Sequence, residues 1–84
     1  MSRNRKILKR ILAGRSDAAV RFNELRYLLH RLGFIERIRG SHHVFVRSDI
    51  AERIILQRDG AHAKPYQVRQ VRGMILRNGL GIEE

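Results

Sequence analysis

The sequence predicts an α+β fold: a helix, three antiparallel strands and a second helix, preceded by a short basic helix. Three observations carry this. Leu25, Leu28, Leu29 and Leu32 recur at i, i+3, i+4 and i+7, the stripe of a helix with one buried face. From Phe34 to Gln57 the pattern changes to alternating or β-branched runs, broken at Gly40-Ser41 and Ser48-Asp49. After Pro65 a helical stripe returns in Val68, Val71 and Ile75, with Met74 beside them. A three-stranded sheet with both helices on one face buries these stripes together and leaves its other face to solvent.

Each element has a local reason. Residues 1–16 hold six basic residues and no acidic one. There Ile7, Leu8, Ile11 and Leu12 fall at helical spacing and Gly14 offers a stop, giving a basic helix or arm. Such an arm either packs at the domain edge, contacts phosphate or docks on a partner. Ser16 to Phe22 reads as a linker. Asn23 is a good N-cap for the leucine-rich helix, with Phe22 and Tyr27 at staple spacing, and Gly33 ends it. His30 is expected on the surface of that helix. In Phe34 to Arg39, residues Phe34, Glu36 and Ile38 alternate with Ile35, Arg37 and Arg39, a strand that Gly40-Ser41 turns back into His42 to Arg47. Ile54 to Gln57 is the third strand, with Ile50 to Arg53 ambiguous. Asp59 to Lys64 is a loop. Pro65 suits the first position of the last helix, Arg69, Arg72 and Arg77 take its solvent or ligand face, and Asn78-Gly79 closes it with Leu80 folding back. Residues 17–80 form the domain and residues 81–84 a tail.

Composition narrows the function. At 84 residues and 43% hydrophobic content the chain makes one small domain with a modest core. Cysteine is absent, which excludes disulfides and thiolate metal sites and suits a reducing compartment. The basic start has no apolar run fit for a signal peptide or membrane span, so a cytoplasmic protein without a membrane partner is expected. The formal net charge is +10, and 15 of the 18 basic residues are arginine. The planar guanidinium matches phosphate at two points, so this bias favours a polyphosphate partner.

The stretch Arg39-Gly40-Ser41-His42-His43-Val44-Phe45-Val46-Arg47 carries the candidate chemistry, because imidazole both takes and gives protons near neutrality. Adjacent histidines on a strand point to opposite faces and share an ion poorly, and the eight acidic residues are scattered, so no metal site is expected. Neither a strained nucleophile turn nor a Gly-rich phosphate loop is present, which argues against a serine triad and against nucleotide hydrolysis. Metal-free proton transfer beside many arginines remains. RNA makes that sufficient, since its own 2′-OH is the nucleophile.

The run Leu28-Leu29-His30-Arg31-Leu32-Gly33-Phe34, followed by Gly40-Ser41-His42-His43-Val44-Phe45, resembles the HicA-type toxins of the YcfA family. The resemblance covers roughly Phe22 to Leu80, and Lys64-Pro65-Tyr66 matches the family's basic approach to the last helix. It implies a double-stranded-RNA-binding-domain-like α-β-β-β-α fold over residues 17–80, to which the basic N-terminal helix is extra. It also implies an mRNA interferase that needs no cofactor and pairs with a HicB-type antitoxin. The family's active-site histidine closes Gly-Ser-His and lands on His42, with His43 as the alternative. After the third strand many relatives carry a Pro and a His, where this chain has Gln57-Arg58-Asp59-Gly60, and His62 reads as a loop histidine before it reads as a partial stand-in. Arg37, Arg39, Arg47 and Lys64 are the candidate RNA contacts. Two rivals stand beside this reading: a non-catalytic RNA-binding module of the same fold, and a basic DNA-binding protein, against which the lack of a helix-turn-helix counts.

Overall fold

The computed structural model describes residues 3–81. Helix α1 (Arg3–Ala13) is followed by a 3-10 turn (Asp17–Ala19) and helix α2 (Phe22–Arg31). Strands β1 (Ile35–Arg39), β2 (His42–Arg47) and β3 (Ile50–Leu56) form an antiparallel meander in the order β1-β2-β3. A small hairpin, β4 (Arg58–Asp59) with β5 (His62–Ala63), leads into helix α3 (Pro65–Asn78). The architecture is therefore α+β, with the expected helix, three-stranded sheet and helix. Residues 82–84 of the tail lie outside the described residues.

Local chemistry explains most boundaries. At the end of α2 the Gly33 N–H donates to the His30 carbonyl and the Phe34 N–H to the Leu29 carbonyl, both at 3.0 Å. This is the Schellman pattern, for which Gly33 supplies a φ of +92° and Phe34 the buried contact. Helix α3 closes the same way, the Leu80 N–H reaching the Ile75 carbonyl at 3.1 Å while Leu80 packs against the core. Pro65 takes the first position of α3, as expected. Between β1 and β2 the two-residue loop Gly40-Ser41 has a positive φ only at Gly40, as a II′-type hairpin turn requires.

Three local expectations are corrected and one ambiguous segment is resolved. Asn23 is not the N-cap of α2: the helix starts at Phe22, whose side chain is fully buried, and Glu24 accepts from the Arg21 N–H at 3.0 Å. Strand β3 starts at Ile50, paired with Arg47 across an irregularity in β2, so the ambiguous segment is extended. The loop between Asp59 and Lys64 is part of a hairpin because the chain before α2 gives it partners: the Ala63 N–H donates to the Val20 carbonyl and the Phe22 N–H to the Ala61 carbonyl. Arg72 does not face solvent. It makes two hydrogen bonds to Asp17 (2.9 and 3.1 Å) and a third to the Ile11 carbonyl, tying α1, the 3-10 turn and α3 together.

One core joins all three helices to one face of the sheet. Phe45, Ile50, Ile54 and Leu56 supply the sheet side, Leu25, Leu28 and Leu29 come from α2, and Val68, Val71, Met74 and Ile75 come from α3. Ile7 and Ile11 of α1 belong to the same cluster, so the basic helix is built into the core rather than hung from its edge. Truncating Ile11, which is 0% exposed, to Ala is expected to cost about 2–4 kcal/mol in chemical denaturation. A loss below about 0.5 kcal/mol would mean that α1 frays away from the core in solution.

Candidate functional site

The two adjacent histidines occupy different sides of the sheet. Phe45 is fully buried under the helices, and strand alternation then sends His43 inward with it and His42 outward with Val44 and Val46. The register places Arg39 directly opposite His42 and Arg37 opposite Val44. Ile55 lies opposite Val44 on the other flank, so Arg53, Ile55 and Gln57 continue the same outer face. This face carries no acidic residue: both carboxylates of the three strands, Glu36 and Glu52, lie on the helix side.

Five acidic residues are bound elsewhere. Asp17 pairs with Arg72, Glu24 with Arg10, Glu36 with Arg26, Asp49 with Arg47 and Glu52 with Arg77. Among the described residues Arg37, Arg39 and Arg53 take part in no ion pair, and all three are exposed on the outer face. Three unpaired guanidinium groups thus share the outer face with His42.

His42 sits in an open depression lined by Arg53, Ile55, Gln57, Tyr66, Gln67 and Gln70. Its Nε2 lies 2.9 Å from the Gln57 side-chain nitrogen, and the Gln57 oxygen lies 3.4 Å from Lys64 Nζ. Lysine only donates, so the Gln57 oxygen faces Lys64 and its amide N–H donates to His42. Nε2 of His42 is therefore held as an acceptor, with the ring proton on Nδ1. Gln57 is in turn fixed through its backbone. The buried Gln67 amide of α3, oriented to satisfy both of its ends, donates to the Gln57 carbonyl at 3.1 Å and accepts from the Gln57 N–H at 3.0 Å. A two-point amide contact thus links α3 to the end of β3 and sets the residue that sets His42.

His43 has a different task. Its Nδ1 lies 2.6 Å from Glu36 and its ring meets Phe22 edge-on, the centroids 4.9 Å apart. Glu36 also accepts two hydrogen bonds from Arg26, both 2.8 Å, and one from His30 at 2.9 Å. Burial alone would raise this carboxyl; the Arg26, His43 and His30 hydrogen bonds outweigh it and bring Glu36 down to about 2. The network staples α2 to β1 and β2 beside Phe45, whose ring the His30 imidazole meets at 5.7 Å. Among the described residues no group of three or more His, Asp or Glu is arranged to hold a metal ion.

The remaining candidates divide between the two sides. Arg37, Arg39 and Lys64 join His42 in one region. Arg47 does not: its guanidinium donates to the Leu32 carbonyl at 2.8 Å and pairs with Asp49, capping the end of α2. His62 lies in β5, paired with Asp59 and bridged to Arg21 at the opposite end of the α2 approach, outside the depression. Sequence reading missed Gln57, Arg53, Gln67 and the partners of Glu36. The period-two spacing of Arg53, Ile55 and Gln57 was available, but it became informative only once the phase of β3 against β2 was fixed. Comparison of the chain with protein-family models, with curated proteins and with solved structures finds no match.

Because Glu36 is held at about 2 against an ordinary 4.5, its network stabilises the fold fully above about pH 4.5 and is lost as pH falls towards 2. Denaturation midpoints at pH 7 and pH 3 should therefore differ more in the wild type than in Glu36→Gln, which is itself expected to lose about 1–3 kcal/mol at pH 7. An equal pH response in the two proteins would contradict the network.

Proposed function

We propose that this chain is a metal-independent RNA endonuclease, a toxin of HicA type in a type II toxin–antitoxin pair, with His42 as its acid/base group. The observation that carries this reading is the placement of His42. An exposed imidazole with its Nε2 held as an acceptor lies on the one sheet face where Arg37, Arg39 and Arg53 are unpaired and Lys64 is adjacent. The order helix, three antiparallel strands, helix supports the double-stranded-RNA-binding-domain-like arrangement that the Leu-Gly-Phe and Gly-Ser-His resemblance implies. In this reading the substrate is mRNA in the cytoplasm.

The chemistry needs little more than these groups. The substrate 2′-OH displaces the Gln57 amide as hydrogen-bond donor to His42 Nε2 and passes its proton there as the 2′-oxygen attacks phosphorus. The P–O5′ bond breaks, and the 5′-oxygen leaves with a proton from solvent. The products are a 2′,3′-cyclic phosphate and a 5′-OH. Arg39, beside His42, and Arg53 take up the charge that develops on the phosphoryl oxygens, while Arg37 and Lys64 position the flanking backbone. His43 is a structural residue in this scheme. A HicB-type antitoxin would be an acidic partner that covers the arginine face.

The non-catalytic RNA-binding module is the second reading, favoured by one observation: Gln57 already occupies the His42 nitrogen that would act as base. Purified protein incubated with RNA in EDTA decides between them. Cleavage to 2′,3′-cyclic ends is expected, and His42→Ala should lower the rate by about 100-fold or more while RNA binding and fold stability are retained. A strict requirement for magnesium, or full cleavage by His42→Ala, would overturn the proposal.

A further inference from the structure

The aromatic residues of this protein are almost all used up by the core. Phe22, Phe34 and Phe45 are buried, and Tyr27 is half-buried with the Arg3 guanidinium over its ring. Tyr66 is the exception among the described residues, 54% exposed at the start of α3. It does not stand alone on the surface. It lines the same depression as His42, Arg53, Gln57 and Gln70, and its hydroxyl lies 3.5 Å from the Gln67 side-chain amide. Gln67 is the residue locked onto the backbone of Gln57, so the Tyr66 ring stands beside the support that orients His42.

We infer that Tyr66 is a stacking platform for one unpaired nucleobase of the RNA, and that the site takes single-stranded rather than duplex substrate. This rests on the reading of His42 as the RNA-cleaving group and specifies the substrate of that site. In a duplex both faces of a base are covered by its neighbours, so a side chain can stack only on a base that is splayed out of the strand. An exposed aromatic flanked by arginine and two glutamines supplies what such a base needs: a ring for its face, amides for its edge and a cation for the adjoining phosphate. The chemistry points the same way. Attack by a 2′-oxygen requires the 2′-oxygen, phosphorus and 5′-oxygen in line, which stacked A-form geometry resists and a nucleotide held apart from its neighbour permits. Tyr66 would hold that nucleotide, with Gln70 and Arg53 reaching its edge and backbone. Tyr66 is a positioning residue and has no part in proton transfer.

The test separates binding from cutting. A fluorescently labelled 12-nucleotide RNA with 2′-fluoro riboses cannot be cleaved, and its affinity is read by anisotropy as a single strand and as a duplex. Tyr66→Ala should weaken single-strand binding about 10-fold and leave duplex binding unchanged, while Tyr66→Phe, which keeps the ring, should bind as wild type. Circular dichroism of Tyr66→Ala should match the wild type, since the side chain is exposed. Equal weakening of both forms, or no weakening, would overturn the inference. Cleavage of unmodified RNA by the wild type is scored separately. Stacking without cleavage would sink the nuclease reading and keep the platform; cleavage with no effect of Tyr66→Ala on single-strand binding would do the reverse.

Discussion

The pleat of β2 is the constraint on which the rest depends. Phe45 is wholly buried between the sheet and the leucines of α2, and it pairs across the sheet with Ile54, another core residue. A slip of one residue would send Phe45 to solvent and bring Val44 and Val46 inward, at a cost of about 2–3 kcal/mol for the aromatic side chain alone. With the phase locked, two histidines that are neighbours in the chain are divided by the thickness of the sheet. One becomes a hydrogen-bond donor inside a carboxylate network, and the other becomes an open imidazole among arginines.

The same division organises the charge. A net +10 repels itself, and a compact fold must place these cations where they do least harm. Among the described residues five carboxylates take an arginine partner on the helix side or at the element ends, and four of these pairs fasten two elements: α1 to α2, α2 to β1, α3 to β3 and α3 to the 3-10 turn. Arg37, Arg39 and Arg53, which take no such partner, share the outer sheet face. An array of unpaired guanidinium groups costs stability in the free protein, and binding of a polyanion relieves that cost. The fold and the proposed activity therefore share one distribution of charge.

How much of this could be read from the sequence follows the range of each interaction. The stripe of α2, the Gly33 and Gly79 caps, the Gly40-Ser41 hairpin and the Pro65 start are set by residues a few positions apart, and all are where local chemistry puts them. The corrections arise from partners far along the chain. Asn23 looks like a cap until Phe22 is seen to be buried against His43 and the helix begins two residues earlier than the cap reading allows. Arg72 looks like a surface charge until Asp17, 55 positions away, takes it. Ile50 to Arg53 is ambiguous until the whole of β3 pairs with β2, out to Leu56 against His43, and β4 and β5 need the segment from Val20 to Phe22. At the site, Gly-Ser-His-His was visible as a feature, but not its phase. Val44, Phe45 and Val46 are all apolar, so only the packing tells which histidine follows Phe45 inward.

The proposed site depends on one division: His43 is held by Glu36 in the core while His42 lies outside with Nε2 as an acceptor. Long-range ¹H–¹⁵N spectroscopy of the imidazoles at pH 8 tests it most directly. His43 should show an Nδ1–H that exchanges slowly with solvent and disappears from the spectrum in Glu36→Gln, and His42 a rapidly exchanging Nδ1–H with an unprotonated Nε2. A slowly exchanging ring proton on His42 that responds to Glu36→Gln, with His43 open to solvent, would contradict it.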